Sequence, residues 1–139
     1  MAKNFGKCES LSEQKALVFK EKQSKMIFNN PAKKKLRRIQ VDGCLELQGA
    51  KCDYLMISPA ETEHFVELKG GDVKHSTRQL ESTILAISLE AKKALKHCFV
   101  ISTRCPLLSP EIQNLKKKFK NNFNSTLTIK NFVCEFLVD

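Results

Sequence analysis

The 139-residue chain has no tryptophan, one tyrosine, no Cys-x-x-Cys pair, and only 15 acidic residues against 24 basic ones. Each shortage removes a class of function. Exposed rings are what stack bases in sequence-tolerant single-strand binding, and the nine phenylalanines fall mostly in apolar runs, so that mode is not expected. No glycine-rich phosphate loop is present, since Gly70-Gly71 is not followed by the Lys-Ser or Lys-Thr of a P-loop. His64, His75 and His97 lack metal-ligand spacing and no Ser or Cys stands in a nucleophile elbow, which leaves a hydrolase triad without support. Apolar runs are of strand length, too short to span a membrane, and no apolar stretch behind a basic region marks a signal peptide.

Six cysteines would suggest disulfides in a small secreted protein, but nothing else agrees with secretion. Without zinc or redox spacing, and with Cys44, Cys52, Cys98 and Cys134 in strand-like apolar runs, they are expected to be reduced, mostly buried thiols of a cytoplasmic protein. Apolar residues make up 42% of the chain, enough for a core, and residues 1–139 read as a single domain. The formal charge of +9 is concentrated in Lys33-Lys34-Lys35-Leu36-Arg37-Arg38 and in Lys116–Lys120. A polyanion is the natural partner, with Lys33, Lys34, Lys35, Arg37 and Arg38 as its contacts.

Residues Ser10 to Ile27 carry weak helical periodicity through Leu11, Ala16, Leu17, Phe19 and Met26, predicting a first helix ended by Asn29-Asn30-Pro31. Ile39 to Leu47 and Cys52 to Ile57 read as a hairpin about Gln48-Gly49-Ala50, and His64 to Lys69 as a third strand. Gly70-Gly71-Asp72 stops that strand and caps a long helix, with Val73, Thr77, Leu80, Ile84, Ile87, Ala91 and Ala94 at steps of four and three. His97 to Ile101 is a short strand, Pro106 and Pro110 bracket a loop, Glu111 to Lys120 is a basic helix, and Leu127 to Val138 is one more strand or a hairpin. The order αβββαβ predicts an α/β fold, a central mixed sheet flanked by helices.

On this frame Asp53 opens one apolar strand, and Glu67 and Lys69 share one face of the next, roughly 6.5 to 7 Å apart along it. Glu-x-Lys also occurs at Glu13-Gln-Lys15 and Glu90-Ala-Lys92, but in stretches with helical spacing, where the two side chains diverge. Charge on a core strand is costly unless paired or bound to a metal, so this copy asks for a chemical account. A partly buried ion pair is one; a pair of carboxylates holding a hard cation is the other.

Asp53, then Glu67-Leu68-Lys69 on the next strand, then Gln79 on the following helix resembles the PD-(D/E)XK, or restriction-endonuclease-like, nuclease superfamily, over about Leu11 to Ser102. The resemblance implies a restriction-endonuclease-like core in which Asp53, Glu67 and the Leu68 carbonyl hold Mg²⁺, with Mn²⁺ as a substitute. Lys69 would sit beside the metal and act on the attacking water, Gln79 would approach the site, and Glu13, with Glu9 behind it, would be the acid of the first helix. The proline of the motif is replaced by Cys52, Thr83 stands where one branch has a tyrosine four residues after the Gln, and Asp42 is an alternative acid. The expected function is a Mg²⁺-dependent endonuclease acting on DNA, with RNA left open, a homodimer as the route to two cuts, and no membrane partner. A nuclease-fold subunit that binds without cutting, and a basic RNA-binding structural protein, are the alternatives.

Overall fold

The computed structural model describes residues 4–68, 72–104 and 109–138. It is a mixed α/β fold in three layers: two helices, a six-stranded sheet and a three-stranded sheet. A short 3₁₀ turn, Gly6–Cys8, leads into β1 (Glu9–Ser12), followed by β2 (Ala16–Glu21), β3 (Ser24–Asn29), β4 (Leu36–Gln40), β5 (Tyr54–Ile57) and β6 (Glu63–Leu68). Then come α1 (Val73–Ile87), β7 (Lys96–Ser102), α2 (Pro110–Phe123), β8 (Ser125–Asn131) and β9 (Val133–Leu137). The large sheet has the order β1-β4-β5-β6-β7-β8, antiparallel as far as β6 and parallel through β7 and β8. The small sheet is β2-β3-β9, and both helices are the crossovers that parallel strands require.

Each face of the large sheet has its own core. Leu80, Ile84 and Ile87 of α1 and Ile112, Phe119 and Phe123 of α2 pack on Ile39, Leu55, Phe65, Cys98 and Val100. On the other face, Leu17, Phe19, Met26 and Phe28 of the small sheet cover Met56, Val66, Leu68, Phe99 and Ile101. Every residue of β6 is buried, as expected of a strand covered on both sides.

Several expectations are corrected. The first helix is absent: Ser10 to Ile27 forms β1, β2 and most of β3, because Leu17 and Phe19, then Met26 and Phe28, enter the core at a period of two. The strand expected over Ile39 to Leu47 ends at Gln40, where Asp42 and Gly43 turn the chain and Gly43 takes φ 82°. The hairpin with β5 survives, in the register Gln40↔Tyr54 and Arg37↔Ile57. The long helix stops at Ile87 rather than Ala94, since the Glu63 carboxylate accepts from Ser88 Oγ and from the Leu89 N–H. The C-terminal pair is no hairpin: β8 joins the large sheet and β9 the small one. Cys8 and Cys44 are not free thiols but form a disulfide, while Cys52, Cys98 and Cys134 are free and buried. Cys105, Pro106 and the Gly70-Gly71 stop lie outside the described residues. Asp72 does cap α1, accepting from the Lys74 and His75 N–H groups. Among the described residues no helix is long and apolar enough to cross a membrane.

Fully buried Lys96 closes the far end of β6 and β7. Its three N–H groups are shared among the carbonyls of Glu90, Ala91, Ala94 and Phe123 at 2.6–3.1 Å from Nζ, tying the segment after α1 to the end of α2. Lys96→Met keeps the apolar stem but orphans all four acceptors. It is expected to lower unfolding free energy by about 3 kcal/mol in chemical denaturation, without affecting any reaction at the opposite end of β6.

Candidate metal centre

Asp53 is placed by backbone pairing. Its N–H donates to the Val66 carbonyl at 3.1 Å, its carbonyl accepts from the Val41 N–H at 3.0 Å, and its Oδ2 accepts from the Leu68 N–H at 2.7 Å. The carboxylate is thus held across the end of β6, next to Glu67. The two carboxyl groups share a hydrogen bond, and Glu67 Oε1 is buried with no hydrogen-bond partner. Burial, then the neighbouring Asp53 charge, pushes the Glu67 carboxyl up to about 9. Burial also raises Asp53, against the lowering effect of the Leu68 N–H. The pair therefore shares a proton at neutral pH when nothing else supplies positive charge.

Glu63 is an internal comparison. It lies on the same strand and, four residues away, on the same face as Glu67. Both are buried, yet the two Glu63 oxygens are hydrogen-bonded to Ser88 and Leu89, whereas Glu67 faces another carboxylate and leaves an oxygen unmet. Glu63 is explained by folding; Glu67 is not. Among the described residues no three His, Cys, Asp or Glu side chains converge in ligand geometry, so only two carboxylates are in place. That donor set suits a hard cation, which takes one or two protein carboxylates and fills its other positions with water and phosphate oxygens. The orphaned Oε1 is the atom such a cation would satisfy.

The other expected residues separate. Lys69 lies outside the described residues, and of Leu68 the N–H engages Asp53. Gln79 does not reach the carboxylates: its Nε2 donates to the Lys51 carbonyl at 3.1 Å, and Thr83 Oγ1 accepts from the Cys52 N–H at 2.9 Å. These two residues of α1 brace the segment entering Asp53, which makes Gln79 a positioning residue. Glu13 is exposed on the β1–β2 connection, away from any helix. Glu9 is held by Arg37 at 2.7 Å through both oxygens, and the guanidinium lowers its pKa. Asp42 is exposed beside the site, its N–H donating to the Cys52 carbonyl at 3.2 Å, and its charge raises both Asp53 and Glu67.

Sequence reasoning missed Glu21. On β2 it shares the face of Leu17 and Phe19, whose ring lies 4.5 Å from that of Tyr54, so it stands over the end of β5 and its charge acts on Asp53. The alternation Leu17, Phe19, Glu21 was the available signal. Burial pushes the Cys52 thiol up and Cys98 to about 12, away from the thiolate form that cysteine chemistry needs. The basic residues divide likewise. Lys33, Lys34 and Lys35 are exposed at the start of β4, about 20 Å along that strand from the Asp53 end, whereas Arg37 and Arg38 lie within it.

No family model, no curated protein and no solved structure matches the chain.

Proposed function

We propose that this protein is a metal-dependent phosphodiesterase, a DNA endonuclease with a restriction-endonuclease-like core, working at Asp53 and Glu67. One observation carries the reading: a buried Glu67 oxygen with no partner, set against a second carboxylate, on a strand whose other buried glutamate is fully satisfied. Bound between the two, Mg²⁺, with Mn²⁺ as a substitute, would neutralise phosphate charge and lower the pKa of water. Asp53 is pre-oriented for that role by the Leu68 N–H, and Glu67 must give up its proton to join it. The Leu68 carbonyl is the proposed third ligand and Lys69 the group that orients the attacking water. Gln79 and Thr83 keep the Asp53 segment in register. Glu13 has no part in this reading; Asp42 and Glu21 supply the additional negative charge at the site.

Lys33, Lys34 and Lys35 are the proposed contacts to more distant phosphates, giving salt-sensitive binding without sequence information. A homodimer would supply the second cut of a duplex. The cytoplasmic location expected from the sequence requires Cys8 and Cys44 to be reduced in the cell, and their pairing weighs against it.

The test is incubation of the purified protein with supercoiled plasmid, single-stranded DNA, a four-way junction and RNA, in Mg²⁺, Mn²⁺ or EDTA, beside Lys69→Met. Metal-dependent cutting lost in the variant is the expected result and names the substrate. Tight, salt-sensitive binding with no cutting in either metal would instead support a nuclease-fold binding subunit.

A further inference from the structure

We propose that the surface cavity beside Arg38 is a phosphate site. Lys7, Cys8, Glu9, Ser10, Arg38, Gln40 and Tyr54 enclose about 240 Å³ there, less than a drug-sized pocket and suited to a small anion. The two arginines of β4 point to opposite faces and meet different fates. Arg37 is saturated by the bidentate Glu9 carboxylate. Arg38 is stacked on two rings, its guanidinium carbon 5.0 Å from the Phe19 centroid and 5.8 Å from that of Tyr54. No carboxylate among the described residues pairs with it. Held against two rings and paired with no carboxylate, the guanidinium has an N–H fork that can take phosphate oxygens in pairs.

The rest of the wall agrees. Glu9, the one acid, has both oxygens engaged by Arg37, so Lys7 and Arg38 set the charge of the cavity. Ser10 and Arg38 are cross-strand partners, as are Gln40 and Tyr54, which puts hydroxyl and amide groups next to the guanidinium. The disulfide at Cys8 anchors the turn that carries Lys7 to the β4–β5 connection. Tyr54 directly follows Asp53, so the cavity and the candidate metal centre lie at the same end of β5. Its assignment to a phosphate flanking the one cleaved rests on the proposed function; anion binding itself does not.

The experiment is a titration of the full chain in EDTA, followed by amide NMR shifts, with inorganic phosphate, thymidine 5′-monophosphate and octathymidylate lacking terminal phosphates. Shifts around Lys7, Ser10 and Gln40 are expected, with Arg38→Met weakening binding about tenfold and exposed Lys7→Met about threefold. Lys130→Met, exposed on β8 at the opposite edge of the large sheet, should leave the affinity for the two small probes unchanged. Binding of the small probes points to a terminal monoester, and binding of the oligonucleotide alone to an internal diester; either supports the site. Variants of Arg38 and Lys7 that bind all three probes as wild type does, or shifts confined to Lys33–Lys35, overturn it. Because no cleavage is read, a failed nuclease assay leaves this result standing.

Discussion

Glu67→Gln is expected to lower metal-dependent cleavage by at least about a thousandfold while leaving the metal-free protein folded. Glutamine has the shape of the protonated acid and can still donate to Asp53, so the interior of the sheet loses little. What disappears is the negative charge that can be developed at this position, and with it one of two carboxylates able to hold a cation. A thousandfold corresponds to about 4 kcal/mol of transition-state stabilisation, within the several kcal/mol that a Lewis-acidic ion supplies. Glu63→Gln is the matched control, on the same strand and face, and exchanges one buried glutamate for the same amide. It weakens the hold on Ser88 and Leu89 and should reduce stability by about 1–2 kcal/mol with cleavage within a few-fold of wild type. Gel-based cleavage rates and urea unfolding on both variants test the pair of expectations. Equal losses of activity in the two would show that Glu67 matters through folding alone.

The contrast between these glutamates also marks how far the sequence could be read. Asp53 and Glu67 were legible because strand alternation and neighbouring apolar residues follow from local chemistry, and a charge inside such a run stands out. That Glu63 is satisfied and Glu67 is not depends on Ser88 and Leu89, more than twenty positions away. The same contacts explain the overlong helix, whose apolar spacing continues through Ala91 and Ala94 while the chain leaves the helix at Ser88. The segment Ser10 to Ile27 misled for another reason: two short strands with a tight turn at Lys22 place apolar residues at spacings that also satisfy a helical template. Misreading it placed Glu13 on a helix and hid Glu21. The Cys8–Cys44 bond links residues 36 apart, with no spacing signature, and became visible only when the N-terminal turn was set beside the β4–β5 connection.

Stability of the metal-free protein should fall as pH rises from about 5 to about 9, the reverse of the usual behaviour of a carboxylate in an ion pair. The Glu67 carboxyl is raised from its ordinary 4.5 to about 9 by burial and by Asp53, so across this window the native state holds a proton that the unfolded chain has released. The slope of unfolding free energy with pH follows the protons bound by the unfolded state minus those bound by the native one, and is therefore negative. The stabilising contribution is fully present below pH 4.5 and lost as pH passes 9; for one such group it amounts to about 6 kcal/mol at most. Asp53, shifted in the same direction, adds to the trend. Other groups titrate too, so the quantity to measure is the difference in pH slope between wild type and Glu67→Gln, by urea unfolding in EDTA. Divalent cation competes with that proton. Mg²⁺ affinity should rise up to about tenfold per pH unit below 9, with close to one proton released per ion, measurable by calorimetry in buffers of different ionisation enthalpy. A wild-type slope no steeper than that of the glutamine variant, or Mg²⁺ binding without proton release, would mean that the carboxylate pair is already charged in the native state. The unmet Glu67 oxygen would then no longer point to a cation.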